Sequence, residues 1–535
     1  MNFTYFALIV IVIILIVYMN CNDKLDEYNK SNEYYSTRLP DVRPLEDDSQ
    51  SILLCRYNVH KYFNNLNSEF IKLVPRPTYV NFIKNMSILP NTILIISDDP
   101  FKSCDKSVTN HDNFLSNPNI SLCIAEDWLG STDDKLFIWP IGLQSKMCKN
   151  EGLRKIFTQT VTDYKPNKNG LVLSNSHLST YSTPESNYRD DRQEMIQSLQ
   201  HSSNIDFWPE RKTQEHTMVE TPSYTYSLCP EGNGLDTHRF YEVYATGVRP
   251  IIREGPLTPL HTQFPNVIVV DDWNQVKNFP RERTVPKPNL EYITLGYWLY
   301  KALRPRCRIV NFFTGGLCEE WRNFLHTVRQ QGLDDLLVVF VLDQQALDCV
   351  KGEGIAYRTD LMTQNLTKES TYGTKGFRNI MARKVKSIEI MLREGYFVFY
   401  LDTDIVLLDN PIRHYFTLPA APVYMQSDTT NFNINTPGSH CAGVIFMSPS
   451  LKTADIMKKA YDLVLDHPHD KGGDQKILNK TMKAMTLDPR AYPNGHRYFK
   501  SREQCWNKPI LIHNNWIKGL DAKVDRFKKH GYWYV

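Results

Sequence analysis

The sequence predicts an α/β protein in two halves, each built on strand–helix–strand units, behind an apolar N-terminal segment. Three observations predict this. Short branched-apolar runs alternate with amphipathic stretches along the chain, the pattern of parallel-sheet α/β structure. Several of these runs end in carboxylates, at the strand ends where open α/β sheets bind ligands. The chain has 535 residues, 41% of them hydrophobic and 23% charged, which is globular composition in a length exceeding one ordinary core. A net charge of +3, with Lys and Arg spread along the chain, gives no case for nucleic acid as a partner.

Residues 1–20 form a segment of their own. Tyr5 to Met19 carries no charge, and counting from Phe3 gives about 17 residues, just enough to cross a bilayer. A cleaved signal peptide is the competing reading, but there is no basic n-region and no small-residue cleavage site before Cys21. An uncleaved transmembrane signal anchor is therefore expected, in a single-pass type II membrane protein of the Golgi or ER with a lumenal body. Residues 21–50, rich in Asn, Asp, Glu, Ser and Tyr, read as a stem. Acceptor sequons begin at Asn29, Asn85, Asn119, Asn365 and Asn479, as suits a lumenal glycoprotein. The 11 cysteines permit disulfides, such as a Cys104/Cys123/Cys148 grouping, but show no zinc spacing.

The first half is expected over 51–295. Thr92 to Ser97 (TILIIS) is a strand ending at Asp98-Asp99, and Leu136 to Leu143 and Gly170 to Ser174 are further strands. Tyr224 to Leu228 leads through a Gly-containing turn into an amphipathic helix. Val248 to Ile252 returns to the sheet, and Asn266 to Val270 ends at Asp271-Asp272. Pro280, Pro286, Pro288 and Pro305 then cluster with charges and mark a boundary near 280–305.

A second series runs from 305 to 535. Arg308 to Thr314 is its first strand, Glu319 to Gln330 a helix, and Leu336 to Leu342 the second strand, ending at Asp343. Phe377 to Arg393 is a helix. Tyr396 to Leu401 is a buried strand ending in Asp402-Thr403-Asp404. Alternation puts Asp402 and Asp404 on one side. Two hard oxygen ligands held this way suit a divalent cation carrying a diphosphate, the arrangement a sugar-nucleotide transferase needs. The bland reading is that one carboxylate caps the next segment or pairs with a lysine.

Other elements converge on this point. His440 to Met447 (HCAGVIFM) reads as a small-residue turn feeding a strand, where substrate could approach the backbone. Lys471-Gly472-Gly473 puts Asp474 and Gln475 near a helix start, where Asp474 could equally be an ordinary N-cap. Leu511-Ile512-His513 puts a histidine after a short apolar strand, followed by Gly519, Lys523 and Arg526. Such a histidine is either structural or a ligand.

The ordered motifs GYFVFYLDTDIVLLDNP, HCAGVIFMSPS, GGDQKILN and HNNWIKGLDAKVDRF make 305–535 resemble the nucleotide-diphospho-sugar transferases of glycosyltransferase family seventy-seven. The resemblance implies a GT-A fold, retaining chemistry, Mn²⁺ as the usual metal and a UDP-sugar donor carrying a pentose or hexose. It makes Asp402, Asp404 and His513 the expected metal ligands, with Asp402 also near the nucleotide. Lys523 would add charge at the diphosphate. Asp474 and Gln475 would line the sugar or acceptor side. Thr314 and Lys386 are candidate nucleotide contacts, with a solvated helix face the alternative for Lys386. The expected partner is a glycan or glycoprotein acceptor.

The first half has its own constellation in Ser227 to Glu242 (SLCPEGNGLDTHRFYE). A strand, a Gly-Asn-Gly turn and a helix N-terminus make a ready anion site. Arg239 and Glu242, three apart on one helix face, could meet a phosphate and a ribose or base. This run, with FIWPIGL upstream, resembles the exostosin-like transferases of glycosyltransferase family forty-seven and relatives, which implies a GT-B fold. The chain is thus expected to be a bifunctional glycosyltransferase, or one transferase fused to a non-catalytic glycan-binding or degenerate domain.

Overall fold

The computed structural model describes residues 53–75, 88–97, 115–126, 134–162, 172–174, 189–208, 210, 212–231, 236–280, 289–363, 375–430, 439–466 and 473–535. The anchor and stem, Asp98-Asp99, Cys104, the Gly-Asn-Gly turn and Lys471-Gly472 lie outside these residues, as do the sequons at Asn29, Asn85 and Asn365. Among the described residues no helix is long and apolar enough to cross a membrane.

Two wholly parallel sheets occupy the first half. Strands β1 (Ile71–Pro75), β2 (Thr92–Ser97), β3 (Ile120–Glu126) and β4 (Leu136–Trp139) pair in sequence order. Strands β5 (Val172–Ser174), β6 (Ile205–Phe207), β7 (Tyr226–Leu228), β8 (Arg249–Arg253) and β9 (Ile268–Val270) follow in the order β6-β5-β7-β8-β9. Each strand expected from its apolar run is present within a few residues. Leu136 to Leu143 is the exception, because its strand stops at Trp139, before Pro140.

The second half holds a seven-stranded mixed sheet. Its strands are β10 (Cys307–Phe313), β11 (Leu337–Val341), β12 (Ala356–Arg358), β13 (Phe397–Leu401), β15 (Val423–Ser427), β16 (His440–Met447) and β17 (Met485–Thr486). The order is β12-β11-β10-β13-β16-β15-β17, parallel from β12 to β13, with β16 antiparallel to both its neighbours. A separate antiparallel ribbon joins β14 (Ile405–Leu407) to β18 (Leu511–His513).

The two-residue period of β13 explains why it is apolar throughout. Phe397, Phe399 and Leu401 enter one core, whereas Val398 and Tyr400 enter the core on the opposite face. Helix Lys375–Arg393 covers the second face with Ile380, Val385, Ile388 and Leu392. Helix Leu451–Asp466 packs beside it through Ala454, Met457 and Ala460. A strand buried on both faces must end before its chain can meet water. β13 does so at Asp402, and Asn410 caps the helix Pro411–Tyr415 a few residues later, accepting from the N–H of Ile412 and Arg413 at 3.0 Å each.

Residues 51–535 form one compact unit. The largest core crosses the Pro-rich boundary, since Leu54, Val59, Trp139 and Phe240 pack with Trp298, Phe313 and Phe397 in one cluster. Helix Leu295–Leu303 is the wedge, and Trp298 lies 6.3 Å from Phe137, centroid to centroid. Arg306 extends the join, donating to the carbonyls of Gly395 at 3.1 Å and Asn91 at 3.4 Å.

Two expectations are corrected here. Cys148 is bonded to Cys55 rather than grouped with Cys104 and Cys123, because the helix Ser145–Lys149 packs on Arg56–Leu66. A second disulfide joins Cys318 to Cys349. His440 to Met447 is one continuous strand rather than a turn feeding a strand, because apolar partners on β13 and β15 pair with it from both sides.

Candidate active site

The site lies where β13 and the β14–β18 ribbon meet. Ile405 pairs with His513 across the ribbon, and Asn514 N–H donates to the Asp404 carbonyl at 2.8 Å. That register carries the end of β18 back over the DxD. Asp402, Asp404 and His513 each offer one ligand atom, all within 4.8 Å of one another. His513 Nε2 lies 3.2 Å from Asp404 Oδ1 and 3.9 Å from Asp402 Oδ2.

His513 is held in the orientation a ligand needs. Its Nδ1 lies 2.7 Å from Gln426 Oε1, and Gln426 Nε2 donates to the Tyr492 carbonyl at 3.1 Å. The second bond fixes which way the Gln426 amide faces. Nδ1 must therefore carry the hydrogen, and Nε2 is turned toward the carboxylates.

Gly443 on β16 completes the cradle. A Cβ there would lie 2.3 Å from His513 Cε1 and 2.6 Å from Asp402 Oδ2, so any side chain would occupy the space between the ligands. Two carboxylates and an oriented imidazole fit Mn²⁺ or a similar divalent cation.

Lysines balance the carboxylates. Lys523 Nζ is 2.8 Å from Asp404 Oδ2. Burial would raise the Asp404 pKa, but Lys523 and His513 hold it far below the usual carboxylate range. Asp404 in turn holds Lys523 above the ordinary lysine value. Burial likewise opposes charge on His513, and Asp404 more than offsets it, leaving the imidazole pKa well above ordinary.

Lys384 is the second lysine, 3.4 Å from Asp402 Oδ1 and 3.1 Å from Asp474 Oδ2, with its ammonium 4.7 Å from the Tyr400 ring centroid. Tyr400 OH also donates to Asp402. Asp474, in the first turn of helix Gly473–Thr481, is buried against Lys384 rather than exposed as a cap. Gln475 accepts from Ala442 N–H at 3.3 Å and donates to Asp428 at 2.8 Å.

The other residues singled out by sequence are not members of the Asp402–Asp404–His513 cluster. Lys386 pairs with Glu389 at 2.7 Å and lies over the Tyr461 ring, on another face of the helix from Lys384. Thr314 closes β10, where the next residue, Gly315, donates its N–H to Asp343 at 3.0 Å. Arg239 and Glu242, on helix His238–Ala245 of the first half, pair with each other at 3.5 Å, and Gln214 donates to Glu242 at 3.3 Å. Two sequon asparagines, Asn119 and Asn479, donate to main-chain carbonyls, of Ile88 at 3.1 Å and of His440 at 2.8 Å.

Sequence reasoning missed Lys384, Tyr400, Gln426 and Glu320. For Lys384 a signal existed, since it stands four residues from both Ile380 and Ile388 on the helix's apolar stripe. Glu320, buried in the first turn of Cys318–Gln330, faces this charge cluster. Burial, then Asp404, push its pKa up to about 7, while Lys523 opposes them.

Comparison with known proteins fits this geometry. The model of the nucleotide-diphospho-sugar transferase family matches residues 332–527. The UDP-D-xylose:L-fucose alpha-1,3-D-xylosyltransferase MGP4 of Arabidopsis thaliana is 28% identical over 242 residues, covering 40% of this chain and 66% of its own. The UDP-galactose:fucoside alpha-3-galactosyltransferase of Dictyostelium discoideum is 26% identical over 190 residues, covering 31% and 29%. The chain thus spans just under two thirds of the first of these relatives. Among solved structures, the galactosyltransferase LgtC is 15% identical with a TM-score of 0.30, over 43% of this chain and 96% of its own. Mouse xyloside xylosyltransferase 1 is 14% identical with a TM-score of 0.28, over 40% and 99%.

Proposed function

We propose that the protein is a glycosyltransferase whose second half moves a pentosyl or hexosyl group from a UDP-sugar to a glycan or glycoprotein acceptor. The observation that carries this is the Asp402–Asp404–His513 cluster, with its imidazole oriented by Gln426 and its space kept open by Gly443. The family match over 332–527 and the relatives' names support the substrate class. A seven-stranded sheet of mixed direction supports the GT-A reading.

Asp402, Asp404 and His513 would hold Mn²⁺, which supplies Lewis-acid charge to the departing diphosphate when bound. Lys523 sits to draw the same diphosphate oxygens by its own charge. Lys384 fixes Asp402 and Asp474 in place, and Asp474 would line the sugar or acceptor side. Retention of the anomeric configuration is expected. The relatives' names make a fucosyl acceptor the first to try.

A second reading concerns the first half. Its two wholly parallel sheets favour a GT-B-like origin. The mutual pairing of Arg239 and Glu242 favours a binding or degenerate role over a second transfer. We further propose a type II Golgi or ER membrane protein with a lumenal body, supported by the two disulfides, which persist in oxidising compartments.

The test is UDP-sugar turnover by the whole chain across a donor panel with Mn²⁺, with EDTA, and with Asp404→Ala or Arg239→Ala. One donor's turnover should vanish with EDTA and with Asp404→Ala. Turnover that survives both would sink the assignment. Loss of a second donor's turnover with Arg239→Ala would establish bifunctional action.

A further inference from the structure

Beside the charge cluster stands a residue that neither metal binding nor folding accounts for. Trp516, three residues past His513, is 50% exposed. Its backbone is left-handed, with φ of 59°, a conformation that costs a bulky side chain of order 1 kcal/mol or more. An exposed indole contributes little to a core, so this arrangement has another use.

The indole is also fixed in place. Its Nε1–H donates to Asp428 Oδ1 at 2.9 Å, and one edge packs on His496, with centroids 5.4 Å apart. Asp428 is held from its other oxygen by Gln475 Nε2 at 2.8 Å, and Gln475 adjoins Asp474, the partner of Lys384. Buried Arg497 steadies the adjoining chain by donating to Thr429 Oγ1 at 2.7 Å and Ser427 Oγ at 3.0 Å. The result is a half-exposed aromatic face whose supporting bonds lead back to the DxD.

A sugar ring has one face of C–H groups and a rim of hydroxyls. A fixed indole offers apolar area to the first, and each Asp428 oxygen keeps a lone pair for the second. We propose that Trp516 and Asp428 form the binding platform for the terminal sugar ring of the acceptor. This rests on the transferase reading above. Trp516 is a binding residue there, and Gln475 and Arg497 are positioning residues.

The test uses the whole chain loaded with UDP and Mn²⁺, with saturation-transfer NMR of the methyl glycosides of fucose, galactose, glucose and xylose. UDP·Mn²⁺ affinity is measured alongside by calorimetry. The wild type should bind at least one glycoside. Trp516→Ala should weaken that glycoside roughly tenfold, the effect of losing several tens of Å² of apolar contact, and leave UDP·Mn²⁺ affinity within about twofold. Trp516→Phe, which keeps a ring without the Asp428 bond, should fall between. Asp428→Ala should weaken the glycoside with UDP·Mn²⁺ retained. Glycoside binding equal in wild type and Trp516→Ala would overturn the platform while leaving the transferase reading intact, as would a wild type that binds UDP·Mn²⁺ but none of the four glycosides. A wild type that binds no UDP with Mn²⁺ would overturn both.

Discussion

Two neighbouring lysines separate sequence proximity from chemistry at the scale of single residues. Lys384 and Lys386 are two apart, which on a helix is about 200° of rotation. One meets Asp402 and Asp474, whereas the other pairs with Glu389. Gln426 reaches the metal site through its contact with His513. Replacing it with leucine should weaken Mn²⁺ binding roughly 10–100-fold while the fold persists, measured by calorimetry beside circular dichroism. Unchanged affinity would mean that the imidazole is oriented by something else.

Glu320 gives a pH prediction. Its folded pKa, about 7, lies above the ordinary glutamate value of 4.5, so the folded state keeps a proton that the unfolded chain has released. Its contribution is most favourable below about pH 4.5 and is lost as pH rises through 7. Relative to Glu320→Gln, the wild type should lose on the order of 2 kcal/mol between pH 5 and 8. Urea midpoints in EDTA at both pH values would check this, and parallel pH curves would refute it.

Among the elements, the close approach of β16 to the end of β18 decides whether a site exists. Gly443 has no Cβ, so the strand backbone can pass beneath His513 and Asp402. Gly443→Ala should place a methyl among the ligands and abolish Mn²⁺-dependent turnover. Its stability cost should be about 1–3 kcal/mol, the range for overpacking. Thermal melts with metal titration separate the two effects. A variant that still binds Mn²⁺ normally would show that the cradle shifts easily. β13 and its DxD were legible because an apolar run ending in two carboxylates leaves few alternatives. The continuous strand at His440–Met447 was not, because small residues signal close approach without saying what approaches.

The whole molecule shows how the two halves depend on each other. The Pro-rich stretch near 280–305 marks a change in sequence character, yet Trp298 and its neighbours fill a core drawn from both sides of it. Residues 51–535 should therefore unfold in one cooperative transition, and Trp298→Ala should destabilise both halves together by about 3–5 kcal/mol. Calorimetry supplies the check. Two separate transitions, or an unchanged first-half signal in the variant, would contradict the shared core.

The sequence by itself determined the α/β class, the strands at its clearest apolar runs in both halves but not β1, β3, β6, β12, β15 or β17, and the DxD with its histidine. These follow from short-range periodicity and from the rarity of carboxylates at the end of a buried strand. Only the tertiary structure decided that Lys384 rather than Lys386 meets the carboxylates, that Gln426 sets the His513 tautomer, that Cys148 pairs with Cys55, and that Trp516 stands fixed beside the cluster. Each of these depends on segments far apart in the chain being packed together, and the phase of a helix or the register of a ribbon is set by that packing rather than by neighbours in sequence.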